Sequence, residues 1–138
     1  MLEGLLNNLK EKSILILGFG VEGKSTYSFI RKHFPKKQIT ICDEKIGYEK
    51  ELVQDENVKC IHSNEYLEHT QEYDLIFKTP GISFKDIDIS GFQNKITSEL
   101  EMVLEFVDIF TIGITGTKGK STTSSLMYSV LEKNKKDT

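Results

Sequence analysis

The chain has 138 residues, 38% hydrophobic and 28% charged, which suits a soluble globular protein with room for one domain and part of another. Its net charge of −3 gives a nucleic-acid partner no electrostatic support. No run approaches the roughly 18 apolar residues that span a membrane, and the first residues lack the pattern of a signal peptide.

The first half of the chain alternates predicted helices and strands. Leucines at helical spacing predict a short N-terminal helix, and Ser13–Leu17 is a continuous apolar run of the kind that parallel sheets cover on both faces. A glycine loop, GFGVEGKS, follows at once. A helix is predicted over Ser25–His33, and a second strand, Gln38–Cys42, completes a β-α-β unit.

The loop after the first strand satisfies two motifs at once. Its glycines at 18, 20 and 23 form the G-x-G-x-x-G fingerprint of dinucleotide binding, and Gly18–Ser25 also fits the G-x-x-x-x-G-K-S pattern of a phosphate-binding P-loop. Asp43 lies about 20 residues after Gly23, where a dinucleotide-binding fold places a carboxylate that accepts hydrogen bonds from a ribose hydroxyl. A tight turn without a ligand is the plain alternative.

Further strands are predicted at Val58–Ile61, Tyr73–Phe77 and Lys95–Thr97. The strand Tyr73–Phe77 runs into a sharp Thr79-Pro80-Gly81 turn, and a short helix is predicted over Ser83–Phe92. Because ligands of open α/β sheets bind beyond the carboxyl ends of the strands, the Gly18 loop, Asp43 and this turn are expected to lie in one crevice. Ser98 is a predicted N-cap, with Glu99 and Glu101 in the first turn of a helix.

A second glycine loop follows a predicted strand, Val107–Ile114. Gly113–Ser121 has the sequence GITGTKGKS and opens a helix from about Gly119. Ile114 replaces the first glycine of the P-loop pattern, which the first loop keeps. The position of Asp43 nevertheless assigns the first crevice to a nucleotide with a ribose, and so favours the second loop as the ATP site.

Cysteines and histidines add no site of their own. Cys42 and Cys60 adjoin strand-like runs, so we expect buried, reduced thiols, consistent with a cytoplasmic protein. His33, His62 and His69 show no metal-ligand spacing and are expected to be surface or structural residues.

The motifs together resemble those of the Mur ligases, the amino-acid-adding enzymes of peptidoglycan synthesis. The resemblance rests on the ILGFGVEGKS loop, the strand ending in Asp43, the KTPGI turn, and TSELEMVLEF leading to GITGTKGKS. It covers essentially the whole chain. The order of features is most similar to the members that add D-glutamate to UDP-N-acetylmuramoyl-L-alanine.

The resemblance implies a fold and two domains. Residues 1–97 would form a Rossmann-like α/β domain, an open and mostly parallel sheet with flanking helices, that binds the UDP-sugar. Residues 98–138 would begin a central ATP-binding domain with its first strand, P-loop and helix. Such a chain would be the N-terminal fragment of a longer ligase, expected to bind a UDP-sugar weakly or not at all and to be inactive alone.

The resemblance also implies roles for individual residues. The first loop would lie against the UDP diphosphate with Gly18, Gly20, Val21, Glu22 and Gly23. Asp43 and Glu44 would face the uridine. The turn of Thr79, Pro80 and Gly81 would border the uracil-nucleotide site. The ATP loop would comprise Gly116, Thr117, Lys118, Gly119, Lys120, Ser121 and Thr122. Lys120 would hold the β- and γ-phosphates and Ser121 would bind Mg²⁺, which makes both catalytic.

The implied reaction joins a carboxylate to an amine at the expense of ATP. The substrate carboxylate attacks the γ-phosphate to give an acyl phosphate, and the amine of D-glutamate then displaces phosphate. The P-loop and Mg²⁺ neutralise charge on the transferring phosphoryl group. Three alternatives stay open: another Mur ligase that adds a different amino acid, a stand-alone Rossmann nucleotide-binding or regulatory module, and an NAD-dependent oxidoreductase. The oxidoreductase would have no use for the second loop.

Overall fold

A five-stranded sheet, all parallel, lies at the centre of the first 108 residues. The computed structural model describes residues 2–45, 47–62, 70–85, 87–106, 108 and 110–134. The strands lie in the order β3-β2-β1-β4-β5, which is the doubly wound order of a Rossmann-like fold. Their bounds are β1 Ile14–Leu17, β2 Ile39–Cys42, β3 Val58–Ile61, β4 Leu75–Lys78 and β5 Ile96–Thr97.

Helices and short 3₁₀ turns connect the strands. The α-helices are α1 Leu2–Lys10, α2 Val21–His33, α3 Glu99–Phe106 and α4 Lys120–Lys133; the 3₁₀ helices are Tyr48–Glu51, Thr70–Glu72 and Gln93–Lys95. Among the described residues, no helix has both the length and the apolar character needed to cross a bilayer.

The two faces of the sheet are covered differently. On one face, α1, α2 and α3 bury leucine, isoleucine and Met102 side chains against β1, β2 and β4. On the other face, the cover is the irregular segment after β4, which packs Ile82, Phe84, Ile89 and Phe92 on the strands. All four residues of β1 are buried, as its continuous apolar run predicts, and so are all four residues of β2.

The prediction of a helix over Ser83–Phe92 is wrong. The described residues of this segment form turns closed by side chains: Asp88 accepts a hydrogen bond from the backbone N–H of Ser90, and the Ser83 hydroxyl accepts one from that of Lys85. Such local side-chain bonds compete with the helical backbone pattern. Apolar spacing in this segment therefore reflects packing on the sheet without a helix.

The chain divides into two compact units, Met1–Asp108 and Ile109–Thr138. The predicted domain boundary after Thr97 stays a prediction, and α3, which follows it, packs against α1 within the first unit. The predicted strand Val107–Ile114 crosses the boundary between the units, and none of its described residues belongs to a strand; Val107 and Ile109 lie outside the description. A strand needs a hydrogen-bonded neighbour, and no described strand pairs with this segment.

Candidate functional site

A cleft of about 500 Å³ opens at the carboxyl edge of the sheet in the first unit. Three turns line it, which follow β1, β2 and β4. This is the switch point of the sheet, where the chain order reverses between β1 and β4 and where such folds bind their ligands. The lining residues are Gly18, Gly20, Val21, Glu22, Asp43, Glu44, Lys45, Thr79, Pro80, Gly81, Ile82 and Ser83.

Every residue predicted to bind the substrate in the first crevice lines the cleft, except Gly23. Gly23 lies one layer behind, in the first turn of α2, where a Cβ would overlap the carbonyl oxygen of Gly18. Gly18 itself has φ +88°, and a Cβ there would overlap the hydroxyl of Thr79. The glycine loop and the Thr79 turn therefore pack together without room for a side chain between them.

The N-terminus of α2 supplies the polar character of the glycine loop. The helix begins at Val21, and its first backbone hydrogen bond runs from the N–H of Lys24 to the carbonyl of Gly20. The N–H groups of the preceding first-turn residues have no helical acceptor, and the helix dipole places partial positive charge there. A glycine loop that ends in a helix N-terminus is suited to an anion such as a diphosphate.

Asp43 links the two loops on this side of the cleft. Its Oδ2 accepts a hydrogen bond of 2.6 Å from the backbone N–H of Phe19, and its Oδ1 accepts one of 2.8 Å from that of Lys45. Sequence reasoning treated this carboxylate as a partner for a ribose hydroxyl. In the structure it bonds the backbone of its own chain through both oxygens.

Three lining residues were missed from the sequence: Lys45, Ile82 and Ser83. Lys45 is the one cation among the lining residues, which also include three carboxylates. Its position directly after Asp43-Glu44, at the end of a strand that points into the crevice, is the signal that could have identified it.

The lysine and serine of the first P-loop-like motif lie away from the cleft. The Lys24 ammonium contacts both oxygens of the Glu51 carboxylate, at 2.7 and 2.6 Å, and lies 5.7 Å from the centre of the Phe19 ring. The Ser25 hydroxyl donates to Glu99 at 2.8 Å. The two side chains that a P-loop would turn towards phosphate and metal thus fix α2 to neighbouring segments.

The second loop, described within its own unit, turns at two glycines directly before a helix. Gly116 and Gly119 have φ of +153° and +82°, and α4 begins directly afterwards at Lys120. The Lys120 ammonium donates to the Gly116 carbonyl at 2.7 Å, so the side chain folds over the loop. The first helical hydrogen bond runs from Thr123 to Gly119, which leaves the N–H groups of the first turn for an anion.

These residues fit the nucleotide that the motif implies. The lysine is on the loop side of the helix, and the hydroxyls of Ser121 and Thr122 belong to the first turn of α4, where P-loops supply an oxygen ligand to Mg²⁺. The described residues contain no cluster of three or more His, Cys, Asp or Glu side chains that would hold a metal without a phosphate.

Comparison with known proteins relates the chain to one group of enzymes. It is 31% identical to the UDP-N-acetylmuramoylalanine--D-glutamate ligase of Clostridium kluyveri and 32% identical to that of Clostridium botulinum, each over 91% of this chain. The ligase of the same name from Ligilactobacillus salivarius is 28% identical over 92%. The chain spans 28% to 29% of the length of these relatives. No protein-family model matches the chain.

Proposed function

We propose that this chain, which belongs to the Mur ligase family by its similarity to these D-glutamate ligases, forms the UDP-sugar-binding part and the ATP loop of a peptidoglycan-precursor ligase. The whole enzyme would add D-glutamate to UDP-N-acetylmuramoyl-L-alanine. Because the chain spans little more than a quarter of the relatives' length, we propose the complete reaction for the whole enzyme and not for this chain alone.

The observation that carries the proposal is the cleft beyond β1, β2 and β4. Three segments far apart in the chain, which the resemblance assigns to one UDP-sugar, line the same cleft of about 500 Å³. The glycine loop offers backbone N–H groups to a diphosphate. The residues after β2 would face the uridine, and the Thr79-Pro80-Gly81 turn would close the opposite side.

Electrostatics gives Lys45 a particular role in this assignment. Three carboxylates line the cleft, those of Glu22, Asp43 and Glu44, and a diphosphate adds further negative charge. The N-terminus of α2 and the Lys45 ammonium are the positive groups that offset this repulsion. We therefore expect weak binding that depends on Lys45 and on ionic strength.

The second loop would supply the ATP site. Gly116 to Gly119 would wrap the phosphates with backbone N–H groups, Lys120 would neutralise the β- and γ-phosphates, and Ser121, assisted by Thr122, would hold Mg²⁺. With ATP bound, the substrate carboxylate would be activated as an acyl phosphate. The contribution of this chain is to orient the phosphates and to place positive charge where negative charge develops.

Titration of the isotopically labelled 138-residue chain tests the proposal. UDP-N-acetylmuramoyl-L-alanine is expected to shift the backbone N–H signals of Gly18–Gly23 and of Lys45 in nuclear magnetic resonance spectra. A Lys45→Met variant should bind about tenfold more weakly, the loss of one charge-assisted contact. Lys50→Met, which removes an exposed cation outside the cleft lining, is the matched control. Binding of NADH without binding of the UDP-sugar would instead support an oxidoreductase.

A further inference from the structure

We propose that Asp43 is a positioning residue, which holds the glycine loop in its binding shape through the backbone of Phe19 and Lys45, and that it does not contact the ribose. The inference deepens the proposed function and rests on it, since it concerns the same UDP-binding cleft. It departs from the role that the sequence pattern gives to a carboxylate at the end of β2.

The first step is the geometry of the carboxylate. Its two oxygens accept separate hydrogen bonds, from the N–H of Phe19 at 2.6 Å and from the N–H of Lys45 at 2.8 Å. Bonds of this length between an N–H and a charged oxygen are among the stronger hydrogen bonds in proteins. The two partners belong to two different walls of the cleft, one after β1 and one after β2.

The second step is the position of Phe19 in the glycine loop. Phe19 follows Gly18, whose φ is +88°, and its ring is buried against Tyr27 and Tyr48, with ring centres 5.9 and 5.5 Å away. The ring and the N–H are thus fixed at the same time, one by packing and the other by Asp43. Without the carboxylate, a partly buried N–H would lose its acceptor in the middle of the loop.

The third step concerns the ligand. The clamp sets the separation between the N-terminus of α2, which faces the diphosphate, and Lys45, the cation on the other wall. Phosphate affinity should therefore depend on Asp43 even though the carboxylate and the phosphate repel each other. The exposed neighbour Glu44 lines the same wall and is better placed to accept hydrogen bonds from a ribose hydroxyl.

A matched pair of substitutions separates positioning from general stability. Asp43→Asn keeps the size of the side chain but turns an NH₂ group towards one of the two N–H donors, so one bond must be lost. Asp74→Asn is the matched change of charge at the opposite end of the sheet, where a single oxygen, Asp74 Oδ2, accepts from the N–H and the hydroxyl of Ser13 at 2.8 and 2.7 Å. The amide oxygen of asparagine can keep both of these bonds, but without the charge that strengthens them. Both variants weaken a carboxylate's hold on the backbone, but only the clamp of Asp43 lies at the cleft.

The experiment measures the affinity of the full chain for UDP, 2′-deoxy-UDP and 3′-deoxy-UDP by titration. Asp43→Asn should weaken all three by the same factor, about tenfold, while Asp74→Asn leaves all three within about twofold. If Asp43 contacts the ribose, Asp43→Asn will hardly change the affinity for the deoxy ligand that lacks the contacted hydroxyl. That result would overturn the inference and leave the proposed function intact.

Amide hydrogen exchange of the ligand-free chain gives a second, independent measurement. The N–H groups of Phe19 and Lys45 should be protected in the wild type and should lose that protection in Asp43→Asn, while the amides of β1 and β2 keep theirs. Exchange of both N–H groups at unprotected rates in the wild type would refute the clamp, even if the variant fails to fold. If UDP and its sugar do not bind the wild type, the proposed function falls, and the exchange rates still decide the clamp.

Discussion

At the level of single residues, the shape of the cleft depends on glycines that leave no room for a side chain. Gly23 lies inside the first turn of α2, where alanine would ordinarily improve helix stability by about 1 kcal/mol. Its Cβ, however, would overlap the carbonyl oxygen of Gly18, a backbone atom of the adjoining loop. Helix propensity and packing thus predict opposite signs for the same substitution.

Gly23→Ala is therefore expected to lower the free energy of unfolding by about 2 kcal/mol, because the overlapping atom is backbone and cannot rotate away. The measurement is urea unfolding followed by circular dichroism, since the chain has no tryptophan. Gly20→Ala is the control in the same loop: its φ is −77° and nothing lies within 4 Å of the added Cβ. A loss of less than about 1 kcal/mol is expected there. Equal effects of the two substitutions would contradict the packing argument.

At the level of elements, the strands were predictable and the segments between them were less so. The apolar run Ile14–Leu17 is short, continuous and bounded by polar residues, so its pattern alone locates the strand. The segment after β4 has an apolar spacing that suggests a helix, but its side-chain bonds to the backbone favour turns. That competition depends on tertiary packing, which a sequence pattern does not contain.

The candidate site shows the same division between pattern and packing. The glycines, Asp43 and the Thr79 turn follow from motif spacing and from the rule that parallel strands end at one edge. The bond from the Phe19 N–H to Asp43 does not follow from spacing, because it depends on how closely two loops approach. The bond from the Lys45 N–H is local, two residues along the same loop, as is usual for aspartate in turns. Lys24 and Ser25 fit a P-loop by spacing, and only the positions of Glu51 and Glu99 explain why they are turned away.

Helix α2 is fixed to the loop before β3 by a charged cluster that should make stability depend on pH. Asp55 accepts a hydrogen bond from the Tyr27 hydroxyl at 2.7 Å and pairs with the Arg31 guanidinium at 2.6 Å. Burial acts to raise the pKa of Asp55, but the bonds from Tyr27 and from the Asn57 N–H, with the charge of Arg31, outweigh it. The pKa therefore lies below its ordinary value.

A lowered folded-state pKa means that the stabilisation is present above the unfolded-state pKa, about 3.9, and is lost as the pH falls through the folded value. Asp55→Asn should therefore cost about 2 kcal/mol at pH 7, and this difference from the wild type should shrink below about pH 4. Urea midpoints from pH 3 to pH 7 measure it. Glu56→Gln removes an exposed charge one residue away and should show no such trend; a pH-independent loss in Asp55→Asn would argue against the ionic contribution.

At the level of the whole molecule, the chain carries two glycine loops that each end in Gly-Lys-Ser, one in each compact unit. The first keeps every residue of the P-loop pattern, and the second lacks its first glycine. Their lysines differ in partner: Lys24 is paired with a carboxylate, whereas Lys120 bonds a carbonyl of its own loop. An ammonium already neutralised by Glu51 has little charge to offer a triphosphate, while one that bonds a neutral carbonyl keeps its charge.

Paired substitutions of the two lysines follow from this contrast. Lys120→Met should weaken ATP–Mg²⁺ binding to the chain by about tenfold, because a charge-assisted phosphate contact is lost. Lys24→Met should leave that affinity within about twofold and lower the stability of the first unit only slightly, since its ion pair with Glu51 is half exposed. Nuclear magnetic resonance titration measures both affinities. If Lys24→Met removed the ATP response and Lys120→Met did not, the nucleotide assignments of the two loops would have to be exchanged. The complete P-loop motif would then predict the ATP site better than the contacts of the two lysines do.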